Sequence, residues 1–172
     1  ELGHGRRDGA PRGGGQRLIS AGRGSSAGVT TETAERPMTL VVLYLVTVVV
    51  FLAVDAVMLS AVMNPLFRAH VGELMAESPR LEIAALFYLV YAGGILWFCS
   101  WPALASGGWS AAALNGAVLG LMAYGTYEFT NMAVMKGWSW NMVAADVVWG
   151  AVLTGGSAAA GVLAVQALGL GR

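Results

Sequence analysis

Asp55, Glu128 and Asp146 each interrupt a stretch that otherwise reads as membrane: LVVLYLVTVVVFLAVDAVMLSAVM, GAVLGLMAYGTYEFTNMAVM and NMVAADVVWGAVLTGG. A charge at mid-bilayer costs about 2.5–3.5 kcal/mol on insertion scales, so an acid kept there faces a bundle interior and has a partner or a task. No Lys or Arg lies inside these stretches to neutralise the three acids. Their oxygens therefore need protons, hydrogen-bond donors, a metal or an organic cation. Two acids close together in a low dielectric oppose each other's ionisation, so at least one of the three is expected to hold a proton when no cation is bound. Tyrosine hydroxyls, the Asn131 amide and indole nitrogens are the available donors. The rings of Tyr88, Tyr91, Tyr124, Tyr127 and Trp149 would also stabilise a cation over their faces.

Positioning these groups falls to helices in lipid. Of the residues, 56% are apolar and only 12% charged, and the mean hydropathy is +0.64 despite a very polar front segment, which marks an integral membrane protein. The 10 basic and 10 acidic residues cancel, and nothing suggests nucleic-acid binding by the folded part. The lone Cys99 excludes an intrachain disulfide and a cysteine metal site. Three carboxylates with no His and only the lone Cys99 inside the spans do not make a recognisable metal motif, and no cofactor is implied.

From Met38 onward, four apolar stretches, near 38–62, 81–104, 111–135 and 141–166, are each long enough to cross a bilayer core. The expected fold is all-α, an up-down bundle of four transmembrane spans. In the first connection, Pro65 is expected to end span one, and the helical spacing of Leu66, Phe67, Val71, Leu74 and Met75 predicts a short interfacial helix. Gly107, Gly108 and Gly137 supply the two tight turns that follow. Residues 1–37, rich in Gly and Arg, are expected to be disordered, with the natural start at Met38 and residues 38–172 forming the transmembrane domain. Gly116 and Gly120 form a GxxxG pair that serves either packing within the chain or a homodimer.

Depth along the spans brings the polar groups to one level. Asp55 and Glu128 lie about seven residues before the ends of spans one and three, Tyr88 about seven after the start of span two, and Asp146 about five into span four, roughly 8–11 Å deep at 1.5 Å per residue. Tyr124, Glu128 and Asn131 share one helical stripe, as do Tyr88 with Tyr91 and Asp146 with Trp149. These eight residues form the candidate site for a ligand or a proton. Trp101, Trp109, Trp138 and Trp140, near span ends, read as interface-belt residues. With the front segment counted, its arginines would hold the N-terminus in the cytoplasm; without it, the preferred reading, Arg68, Arg80 and Lys136 outnumber Arg172, and the first and third connections, with the mouth of the acid cluster, are expected in the cytoplasm.

The segments FLAVDAVML, LFYLVYAGG, LMAYGTYEFTNMAVMKGW and DVVWGAVLT resemble the bacterial predicted membrane proteins grouped as domain of unknown function 2177. The resemblance runs from Met38 to Leu163, and its most specific piece is YGTYEFTN followed by the KGW turn and DVVWG. It implies a small multi-span protein of the bacterial inner membrane and brings no assigned activity.

Three function classes remain. A binder or carrier of a proton or a small cationic or amphipathic ligand would use the acids as its site. An intramembrane enzyme on a lipid or isoprenoid substrate would use them as general acid and base, but the spans offer no recognisable nucleophile, arginine clamp or metal motif, which places the enzyme second. A structural or regulatory subunit would need no pocket. The expected partners are the lipid bilayer, an unidentified small molecule and a second copy of the chain.

Overall fold

In lipid a backbone must satisfy its own hydrogen bonds, and this chain does so by helix alone: among the described residues there is no strand. The computed structural model describes residues 26–170, with side chains from Arg36 onward. The helices are α1 (Ser26–Met58), α2 (Asn64–Val71), α3 (Leu81–Ile95), α4 (Trp101–Ser106), α5 (Gly108–Val134) and α6 (Trp140–Ala167). Residues 1–25 of the segment expected to be disordered lie outside the described residues. Residues 26–37 differ from that expectation, because α1 runs back through Pro37 to Ser26. A span that has already nucleated a helix extends it at little further cost per residue.

Two prolines are carried inside continuous rods by the same device. A π-helical turn over Leu59–Met63 links α1 to α2, and another over Leu96–Ser100 links α3 to α4. The Asn64 N–H bonds the Leu59 carbonyl and the Trp101 N–H bonds the Leu96 carbonyl, each five residues back. Pro65 and Pro102 follow immediately. A proline ring collides with the carbonyl four residues earlier and offers no N–H, and a widened turn makes room for both defects. Pro65 therefore does not end span one as expected. The short helix of the first connection is present as α2, in line with α1 rather than as a separate piece.

Among the described residues, three helical rods are long and apolar enough to cross a membrane: Arg36–Leu74, Leu81–Ser106 and Trp140–Ala167. The protein is thus a multi-pass membrane protein. The 27-residue α5 has the length of a span, but Ser110, Asn115, Thr126, Glu128, Thr130 and Asn131 dilute its apolar character, and it stands outside that set.

The tightest pairing is α5 against α6. A β-carbon added at Gly116 would stand 2.8 Å from the Thr154 carbonyl oxygen and 2.9 Å from the Gly155 Cα, and one at Gly120 would strike the Gly150 carbonyl. The GxxxG pair is therefore spent inside the chain. On its other side α6 receives α1, where Gly161 lets Thr47 and Leu43 approach. Leu43, Phe51, Ile95, Cys99, Leu153, Ala158 and Val162 close the shared core. The turns behave as their glycines predict, with φ of 63° at Gly108 and 83° at Gly137.

Candidate functional site

Local structure at two chain reversals delivers the acids of α5 and α6. Gly137 swings Trp138 back over the end of α5, and the Ser139 hydroxyl caps α6 by accepting the Met142 N–H at 3.4 Å. Asp146 then lies two turns into α6, level with Glu128 on α5.

Each fully buried acid is held by one indole. The Trp149 Nε1–H donates to Asp55 Oδ1 at 3.2 Å, joining α6 to α1, and the Trp138 Nε1–H donates to Glu128 Oε2 at 2.7 Å. Asp55 is 3% exposed and Glu128 fully enclosed. Tyr88 on α3 lies beside Asp55 in the same cavity wall. Asp146 is half-buried, beside Glu128 and close enough to Asp55 to feel its charge. The second oxygens, Asp55 Oδ2 and Glu128 Oε1, are buried and receive no donor. Such an atom loses about 1–3 kcal/mol relative to one that is satisfied, and more when charged, so the cluster is left short of protons or positive charge.

Aromatic rings frame this cluster. Phe51 packs edge-on against Tyr88 and Tyr91 at centroid distances of 5.4 and 5.6 Å, and the Tyr91 hydroxyl meets Thr154 Oγ1 at 3.1 Å. Trp138 is itself wedged between Phe67 of α2 and Tyr127 of α5. Between these walls lies a cavity of about 730 Å³ that reaches Asp55, Tyr88, Tyr91, Tyr124 and Asp146. Its remaining lining is apolar apart from Asn64 and Tyr127, and it includes no Lys, Arg or His. Size and character match a small-molecule pocket: apolar walls with a few convergent polar groups.

Five of the eight residues singled out from the sequence therefore line one cavity. The other three stand behind its wall: Trp149 bonded to Asp55, Glu128 beside Asp146, and Asn131 half-buried near Tyr127. Among the described residues no group of three or more His, Cys, Asp or Glu is placed to hold a metal ion.

Residues 40–163, well over half of the chain, match the family described as predicted membrane protein (DUF2177). The chain belongs to this family. No curated protein and no solved structure matches it. The matched region holds every residue of the site, from Asp55 to Trp149.

Sequence reasoning missed two contributors to the site. Trp138, read as a belt residue, instead turns its indole N–H inward onto Glu128, whereas Trp109 and Trp140 are 52% and 65% exposed. The ten-residue separation of Glu128 and Trp138 across a glycine turn was the available signal. Thr154, the partner of Tyr91, lies two helical turns from Asp146, and nothing in its spacing set it apart.

Proposed function

We propose that this protein binds a proton or a small cationic or amphipathic ligand in the carboxylate and aromatic pocket, within the bacterial inner membrane, and that α5 is its fourth span. The observation that carries this reading is Asp55 Oδ2, a buried carboxylate oxygen without a donor in the wall of a cavity that has no basic residue. A cation entering the cavity would supply the missing charge, and the rings of Tyr88 and Tyr124 would add face-on stabilisation. Carriage of the ligand across the membrane follows if the site is reached in turn from each side. Arg68, Arg80 and Lys136 all belong to connections at the end where the cavity meets Met75, Pro79 and Leu81, which supports a pocket facing the cytoplasm.

Tetraphenylphosphonium, a membrane-permeant cation, tests the reading on purified protein in lipid nanodiscs. Quenching of the intrinsic tryptophan fluorescence should saturate, and Asp55→Asn should weaken the apparent affinity at least tenfold while the protein stays folded. Absence of saturable binding by the native protein, or equal binding by a folded Asp55→Asn variant, contradicts the proposal.

A further inference from the structure

The cavity has an open side between α3 and α5, and the chemistry of that side says where a ligand comes from. α3 leans along α1, while its rod meets α5 and α6 mainly further on, through the π-helical turn at Leu96–Ser100 and α4. The Tyr91 to Thr154 bond lies about one turn earlier. Toward the start of α3 the cavity separates the two helices. Phe87 on α3 and Tyr127 on α5 line it, yet they are 64% and 52% exposed, so they form its rim. Phe87 lies six residues after the start of α3 and Tyr127 seven before the end of α5, which puts both about 9–11 Å along their helices at 1.5 Å per residue. The rim is therefore at hydrocarbon depth, level with the acids.

We propose that the pocket takes its ligand sideways from the bilayer, and that the ligand is a single-chain cationic amphiphile. Its amine or quaternary ammonium head rests against Asp55 and Asp146, and its alkyl chain lies along Leu59, Leu81 and Phe87 and out through the α3–α5 gap. This inference rests on the cation-binding reading above and narrows it. Charge complementarity selects the head, because the acids face the cavity with no basic residue lining it. The walls select the chain: a small hydrated ion gains little from Leu59, Leu81 and Phe87, whereas an alkyl chain replaces lipid contacts there without ever leaving an apolar medium.

The test uses the full chain in nanodiscs with bound tetraphenylphosphonium as reporter. Tetramethylammonium, hexyltrimethylammonium and dodecyltrimethylammonium are compared as competitors at equal concentrations within the lipid phase, with dodecanol as the uncharged control. The expected result is displacement that improves at least tenfold from tetramethylammonium to the dodecyl compound, with no displacement by dodecanol. If tetramethylammonium competes as well as the dodecyl compound, the sideways route and the chain are wrong while the cation site stands. If dodecanol competes equally, the acids do not read the head. If tetraphenylphosphonium itself fails to bind, both this inference and the reading beneath it fall.

Discussion

The two sides of α5 solve opposite problems. Toward α6 it presents Gly116 and Gly120, and the backbones close until no side chain fits between them. Toward α3 it presents Tyr124 and Tyr127, and the helices stand apart around a cavity with Asp55 and Asp146 in its wall. Tyr124 joins the two regions, since its ring rests where a β-carbon on Gly150 would be. Small residues on one face thus give a close seam, and aromatics line the cavity on the other face. In lipid, where apolar surface gains nothing by leaving its solvent, such close approach is what holds helices together. The seam is thus the element that can hold Glu128 and Asp146 in place, with Trp149 tying Asp55 of α1 to it.

The comparison breaks first at Gly120. Gly120→Leu drives side-chain atoms into the Gly150 carbonyl, a backbone group that cannot yield, so the loss should exceed the roughly 1–3 kcal/mol usual for overpacking. The check is recovery of monodisperse protein in a mild detergent, and that recovery should collapse. Next comes Trp138→Phe, which keeps a ring against Phe67 and Tyr127 but strips the donor from Glu128. It should cost about 1–3 kcal/mol, seen as a lower melting temperature, because a buried carboxylate loses its one observed donor. Smaller again is Gly137→Ala. With φ of 83°, an alanine there carries about 1–2 kcal/mol of backbone strain, and its β-carbon would stand 3.0 Å from the His70 carbonyl. The α2 end should loosen, measured as faster proteolysis between Arg68 and Arg80, while the α5–α6 seam stays intact. At the bottom of the series, Gly156→Ala meets nothing within 4 Å and, by replacing a mid-helix glycine, should raise the melting temperature slightly, by up to about 0.5–1 kcal/mol of stability.

Much of this arrangement was legible in the residues. Hydropathy marks the rods, and counting residues from their ends puts Tyr88, Glu128 and Asp146 at one depth; Asp55 was placed there by an expected span end near residue 62, although its rod runs on to Leu74. Pro65 was misleading because a proline rule describes an α-helix, and the chain inserts a π-helical turn just ahead of the ring. Trp138 was misleading because an indole serves equally as a belt anchor and as a buried donor; only the sense of the turn at Gly137 decides between them. The GxxxG pair could have faced a second copy or the neighbouring helix, and spacing alone does not choose. The open side of α3 was not legible at all, since a gap between helices depends on which faces pair and not on any one segment.

Convergence of the acids from different helices is the claim on which the rest stands, and paired cysteines test it most directly. In a Cys99→Ser background, Asp55→Cys combined with Asp146→Cys, and Glu128→Cys combined with Asp146→Cys, are treated with dibromobimane, which fluoresces strongly only when both of its arms have reacted with thiols. The account predicts that each pair becomes fluorescent and that no single-cysteine variant does. Fluorescence from both pairs no higher than from the singles, in folded protein whose cysteines each label with a monofunctional reagent, would contradict it.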